Sequence, residues 1–260
     1  MDAEIRKQLR EIERQYDVKV LYAVESGSRA WGFPSKESDY DVRFVYVHRR
    51  DWYLSIDQKR DVIEKPISNM LDISGWDLRK ALQLLAKSNP ALLEWLRSPI
   101  VYEEAYTTAQ RLRNIGLSHL SKKAVMYHYL HMAKGNYQDY LRGETVKVKK
   151  YFYVLRPIFV CMWLENEQSI PPVEFGQLLQ AQQRQLASSV LQELQELIAR
   201  KKAGEELGEE AALPALHIFI QDKLSYYEQY AKQLEQKGQT NIDLLNRLFR
   251  ETLAEVWERG

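Results

Sequence analysis

Residues 18–47, VKVLYAVESGSRAWGFPSKESDYDVRFVYV, decide how this chain is read. Val18 to Val24 is a β-branched run expected to form a strand, and Asp41 to Val47 is a second one. Between them Gly27, Gly32 and Pro34, interspersed with Ser26, Ser28, Ser35 and Ser38, predict an irregular connection. Alternate side chains of a strand share a face, so Asp39 and Asp41 are expected to point the same way at the mouth of the second strand, with Tyr40 and Val42 toward the core. Two carboxylates that close raise at least one pKa unless a cation sits between them, which makes the pair either costly or a site for a hard metal. Asp-x-Asp by itself is a common turn or capping pattern. Its company carries the reading: a glycine directly after a strand lets backbone N–H groups approach a phosphate, and Ser28 adds a hydroxyl donor.

Working outward, Ala3 to Tyr16 places Ile5, Leu9 and Ile12 at helical spacing ahead of the first strand. A third strand is expected within residues 61–73, with Pro66 favouring an edge or a bulge. Ser74-Gly75-Trp76-Asp77 predicts a helix start with Ser74 as N-cap, the helix running through Leu78, Leu82 and Leu85 to about Lys87. Residues 90–102 fit either a short helix capped by Asn89 or a closing strand. From about Thr107 onward glycine is sparse and helical periodicity dominates, predicting helices over 117–141, 148–165, 173–187, 189–203, 216–237 and 243–259, with an exposed loop at 201–210. The expected fold class is α+β: a mixed β-sheet with flanking helices over residues 1–106, followed by an α-helical domain over 107–260.

Composition narrows the function by exclusion. The 37 basic residues nearly cancel the 36 acidic ones, so a polyanion would have to be bound by a local patch and not by a global field. The single cysteine, Cys161, lies among Val160, Met162 and Trp163 and is expected to be a buried small apolar side chain. The opening segment carries charges throughout with no apolar core, and no run is long enough to span a bilayer, so a cytoplasmic protein without membrane association is expected. Oligomeric state is left open.

A third acid, Asp72, is expected to end the third strand. In-line phosphoryl transfer needs carboxylates to hold metal ions and one group to act on the attacking hydroxyl, and Asp39, Asp41 and Asp72 meet that requirement. Asp77 competes for the third place but is accounted for by capping. A strand, Gly-Ser, a loop and Asp-x-Asp on the next strand resemble the signature of the DNA polymerase beta nucleotidyltransferase superfamily. The stretches ESGSRAWGFPSKESDYDVRFVYV, LDISGWDLRKALQLLAKSNPALLEWLRSPIVY and KVKKYFYVLRP further resemble a bacterial group within it, the RNA-ligase-associated polymerase-beta-like proteins. The resemblance implies that residues 1–106 are a nucleotidyltransferase domain. It also implies Mg²⁺ or Mn²⁺ and transfer of a nucleoside monophosphate from a nucleoside triphosphate (NTP) to a hydroxyl with release of pyrophosphate. It places Asp39, Asp41 and Asp72 as catalytic metal ligands and Gly27, Ser28 and Arg29 at the triphosphate. From the helical domain, Lys149, Lys150, Tyr151 and Tyr153 are the best match to a lysine and aromatic set that contacts triphosphate and base.

Other residues are read more broadly. Arg43 shares a strand face with Asp39 and Asp41 and serves either as their counter-ion or as a phosphate contact. Glu25, acidic beside a proposed phosphate site, has no account at this level beyond capping the loop or pairing with Arg29 or Arg43. Lys149, Tyr153 and Arg156 are expected along one helix face. His128 and His131 lack further ligands at zinc spacing. Among other classes, a metal-dependent glycosyltransferase gives no reason for Gly27-Ser28, and a nucleotide-sensing or antitoxin-type module gives no reason to keep a repulsive acid cluster. RNA ends, protein hydroxyls and small molecules all remain as acceptors.

Overall fold

The structure is a computed structural model that describes residues 1–34, 38–68, 70–167, 169–205, 207–235 and 241–258. In chain order the elements are α1 (Asp2–Tyr16), β1 (Val18–Glu25), α2 (Gly27–Ala30), β2 (Tyr40–His48), α3 (Arg50–Tyr53), β3 (Val62–Glu64), β4 (Leu71–Asp77), α4 (Leu78–Ala86), α5 (Pro90–Leu96) and β5 (Val101–Glu104). They continue as α6 (Thr108–Ser118), α7 (Lys122–Tyr140), β6 (Thr145–Lys147), α8 (Tyr151–Asn166), α9 (Phe175–Gln182), α10 (Ser188–Lys202), β7 (Glu209–Ala211), α11 (Pro214–Gln233) and α12 (Ile242–Trp257). The fold is α+β, as expected. Among the described residues no helix is long and apolar enough to cross a membrane.

The chain forms two compact units. One comprises Met1–Ala30, Glu37–Leu120 and Gly238–Gly260, the other Trp31–Lys36 and Ser121–Lys237. This differs from a boundary at residue 106, because α6 and α12 belong with the sheet. In α12 Leu245, Leu248 and Val256 are buried, Trp257 Nε1 donates to the His48 carbonyl at 3.0 Å, and the Glu255 carboxylate accepts from the Thr107 hydroxyl at 2.8 Å. A helix remote in sequence thus joins the sheet unit through apolar burial, which helical periodicity alone does not reveal.

The first unit is built on a five-stranded sheet in the order β3-β4-β2-β1-β5, antiparallel except for the parallel pair β2 and β4. One face packs on α1: Ile5, Leu9 and Ile12 meet Val20, Val42, Phe44, Tyr46 and Ile73 in a single buried cluster. Each such side chain contributes about 1.5–3 kcal/mol on burial. From the opposite side of β4, Trp76 stacks on Trp95 of α5 at 3.7 Å between ring centroids. The β3–β4 hairpin departs from expectation. Ser74 to Asp77 are strand residues, and the cap of α4 is Asp77, whose carboxylate accepts from the Arg79 N–H at 2.8 Å. Gly75 marks a close approach and not a turn, since a Cβ there would lie 2.3 Å from the Phe44 ring. Both readings of residues 90–102 are realised, as α5 capped by Asn89 and then β5.

The second unit centres on α8, which is buried on nearly all sides from Tyr151 to Leu164, the pattern of a core helix. Cys161 lies within it, buried, its thiol pKa pushed well up by desolvation. Part of the expected loop at 201–210 pairs instead as β7 with β6.

Candidate active site

The chemistry-bearing residues of the first unit meet where β1 ends. Parallel pairing sets Asp41 of β2 directly opposite Asp72 of β4, so the two carboxylates stand side by side on one face of the sheet. Asp72 is the second residue of its strand and not the last, because β4 runs on to Asp77. Arg43, two residues along β2 from Asp41, shares that face. Its guanidinium donates to Asp41 Oδ1 at 3.2 Å and to Asp72 Oδ2 at 2.7 Å, and also to the Asp72 carbonyl at 3.1 Å. Burial raises the Asp41 pKa above the usual carboxylate range; Arg43 opposes the shift, while the neighbouring charges of Asp72 and Asp39 add to it. Asp39 is exposed, directly ahead of β2. Among the described residues no three His, Cys, Asp or Glu side chains are grouped so as to hold a metal ion as they stand. The Asp41–Asp72 pair is occupied by Arg43.

The three residues at the end of β1 fix Asp41. The Ser26 N–H donates to the Asp41 carbonyl at 2.8 Å, and the Asp41 N–H donates to Glu25 Oε1 at 2.8 Å. Gly27 has φ +60°, and a Cβ at this position would lie 2.1 Å from Asp41 Oδ2. Only glycine permits both the left-handed backbone and the approach of the carboxylate. Glu25 is wholly buried; its other oxygen accepts from the Tyr102 hydroxyl, and burial raises its pKa. Of the expected roles for Glu25, capping the loop or pairing with Arg29 or Arg43, neither names these partners, the Asp41 N–H and the Tyr102 hydroxyl.

Arg29 is engaged locally. It donates to the carbonyls of Ser38 at 2.8 Å and Asp39 at 3.1 Å, and its guanidinium lies 3.6 Å from the centre of the Tyr40 ring. It therefore braces the approach to Asp39. Ser28 is half-buried in the short α2. The competing acids lie elsewhere: Asp77 is buried as the α4 cap and bonded by the Tyr53 hydroxyl at 2.6 Å, while exposed Glu64 pairs with Arg60.

In the second unit, Lys149 and Lys150 sit in a single 3-10 turn, and α8 begins only at Tyr151. The Lys150 ammonium lies 4.2 Å from the Tyr140 ring centre and 4.7 Å from that of Tyr153. Its pKa is lowered by burial and then by the charges of Lys149 and Lys147. Tyr151 is wholly buried and its hydroxyl accepts from the Leu213 N–H at 2.9 Å, which leaves Lys149, Lys150 and Tyr153 as the accessible members of the expected set. Arg156 is not on an exposed row with Lys149 and Tyr153. It is buried and donates to the Val173 carbonyl at 3.1 Å, with its guanidinium 4.7 Å from the Trp31 ring centre.

The site therefore brings together a glycine turn laid against Asp41 and a second aspartate, Asp72, in register on the neighbouring parallel strand. The chain belongs to the RNA repair pathway DNA polymerase beta family, whose model matches residues 1–251, and so is a polymerase-beta-like nucleotidyltransferase by family. It is 51% identical over 261 residues to the uncharacterized protein YcgL of Bacillus subtilis (strain 168), covering 100% of this chain and 99% of that protein. A crystal structure of a nucleotidyltransferase-like protein from Exiguobacterium sibiricum 255-15 aligns over 98% of this chain and 91% of that one, at 14% identity and a TM-score of 0.32.

Proposed function

We propose that the protein transfers a nucleoside monophosphate from an NTP to a hydroxyl group, with Mg²⁺ or Mn²⁺ held by Asp39, Asp41 and Asp72. The observation that carries this reading is the Asp41–Arg43–Asp72 column, two carboxylates in register sharing one guanidinium. The donor set suits the metal. Carboxylate oxygens are the ligands a hard divalent ion takes, the Arg43 guanidinium already stands as a cation between two of them, and the absent Cβ of Gly27 leaves the Asp41 carboxylate its place. Bound there, such an ion polarises phosphoryl oxygens and offsets charge developing on the leaving group.

The chain's own residues supply the rest. Gly27 and Ser28 offer a backbone N–H and a hydroxyl to the triphosphate, and Arg29 holds the carbonyls of Ser38 and Asp39 just ahead of β2. Asp72 accepts the proton of the attacking hydroxyl as its oxygen bonds to the α-phosphorus, and the bond from that phosphorus to the bridging oxygen breaks to release pyrophosphate. Lys149 and Lys150, backed by Tyr140 and Tyr153, form a cationic face in the second unit suited to phosphate oxygens. The family's description as an RNA repair pathway group favours an RNA hydroxyl as acceptor over a protein or a small molecule.

The test is to incubate the protein with each α-labelled NTP, Mg²⁺ or Mn²⁺, and separate pools of RNA, protein and small metabolites. Label is expected in the RNA pool and is lost in Asp39→Ala combined with Asp41→Ala. Label in another pool moves the acceptor. No transfer to any pool replaces the enzyme with a nucleotide-sensing module.

A further inference from the structure

We infer that Glu25 is a positioning residue for the metal site, holding Asp41 in place through its backbone; the inference rests on the metal-dependent reading above. The physical reason starts with the end of β1. The last β1 residue in register with β2 is Glu25, opposite Val42, and α2 begins at Gly27. Past that point β1 has no backbone carbonyl to offer Asp41, whose N–H would be a donor without an acceptor. Glu25 Oε1 fills the gap at 2.8 Å.

The carboxylate is itself held. Its second oxygen accepts from the Tyr102 hydroxyl, and its backbone is pinned by the Glu25 N–H to the Ile100 carbonyl at 3.0 Å and the Ser98 hydroxyl to the Glu25 carbonyl at 2.6 Å. A wholly buried acid beside the Asp41 carboxylate is a poor choice for packing alone, since an apolar side chain fills the same volume without desolvating a charge. Two donors converging on two acceptor oxygens explain it. The chain β5–Tyr102–Glu25–Asp41 thereby links the sheet edge to a carboxylate assigned to the metal. Groups one step behind a ligand commonly change metal affinity by about 10–100-fold when removed.

The experiment titrates Mn²⁺ alone against wild type, Glu25→Leu and Glu25→Gln, following free Mn²⁺ by electron paramagnetic resonance, and records hydrogen exchange at the Asp41 amide. Glu25→Leu is expected to weaken Mn²⁺ binding by about tenfold and to speed Asp41 exchange. Glu25→Gln, which keeps an oxygen for the Asp41 N–H and gives Tyr102 a donor to accept from, is expected to restore both. Wild-type affinity with a protected Asp41 amide in Glu25→Leu overturns the inference, as does equal weakening by Leu and Gln, which would make the charge and not the bond responsible. If Glu25→Leu does not fold, Tyr102→Phe decides: faster Asp41 exchange with weaker Mn²⁺ binding supports the chain of bonds, and no change in either overturns it. Absence of Mn²⁺ binding in the wild type is a separate result that removes the metal reading and this inference with it.

Discussion

Gly27→Ala should damage the site far more than it damages the fold, and the structure indicates by how much. Alanine at φ +60° carries a left-handed backbone strain of about 1–2 kcal/mol. In a chain of this size that lowers the melting temperature by about 2–4 °C per kcal/mol. The added Cβ would stand 2.1 Å from Asp41 Oδ2, so the carboxylate must retreat by more than about 1 Å to reach ordinary contact. Asp41 cannot do this without loosening its bond to Arg43. A misplacement of that size is worth about 100-fold in rate. Gly32→Ala is the matched control: φ there is +86° with nothing within 4 Å of an added Cβ, so it carries backbone strain without a collision. Both variants should melt a few degrees lower, with α-labelled NTP transfer falling about 100-fold in Gly27→Ala and holding in Gly32→Ala. Transfer by Gly27→Ala at the wild-type rate, or equal losses in the two variants, would refute the reasoning.

Asp72→Asn should leave metal-free stability within about 1 kcal/mol yet abolish the rise in melting temperature that Mn²⁺ gives the wild type, about 2.7 kcal/mol at a hundredfold excess over Kd; a surviving rise removes Asp72 from the metal set. Asp77, buried with a pKa pushed up to about 6, binds its proton more tightly folded than unfolded. Its stabilisation is therefore complete below the ordinary aspartate pKa and is lost as pH rises through about 6, worth at most about 3 kcal/mol. Asp77→Asn, which still caps α4, should flatten the melting profile between about pH 4 and 7 relative to wild type, and parallel profiles would contradict the assignment. Gly75→Ala drives a Cβ into the Phe44 ring at 2.3 Å and should cost about 1–3 kcal/mol, relieved by Phe44→Leu; additive effects in a denaturation cycle would show that the two do not collide.

What the sequence made legible was local. Val18 to Val24, the Gly27 turn and the strand carrying Asp41 announce themselves by composition and spacing, and Asn89 is the cap that one of the two readings of residues 90–102 required. Ser74-Gly75 was misread because serine and glycine next to an acid are turn chemistry in isolation, whereas here the glycine answers to the Phe44 ring on another strand. The pairing of Asp41 with Asp72 depends on a hairpin returning β4 parallel to β2, a register that no periodicity in one segment contains. Arg156 and Tyr151 are buried for a related reason: a basic and a phenolic residue suggest a surface, but α8 is enclosed on nearly every side, with Arg156 donating to the Val173 carbonyl and the Tyr151 hydroxyl accepting from the Leu213 N–H. Glu25 lies at the far end of the same scale, since its partners are a backbone N–H 16 residues away and a phenol 77 away.

These non-local contacts share a direction. Ser26, Glu25 and Gly27 act on Asp41 by an N–H, a carboxylate and a missing Cβ; Arg29 holds the carbonyls of Ser38 and Asp39; Arg43 spans Asp41 and Asp72. A fold in need of one ion pair on this face would be served by one carboxylate on Arg43, and Asp41 is kept although burial first, and then the charges of Asp72 and Asp39, raise its pKa. Counted as three carboxylates against the guanidinia of Arg43 and Arg29, the mouth of β2 keeps a formal charge of about −1, a site left net negative for the divalent ion proposed above. Acids assembled beyond what the neighbouring arginines balance, with Asp41 and Asp72 fixed by contacts that do nothing for the core, are the arrangement that the proposed cation requires.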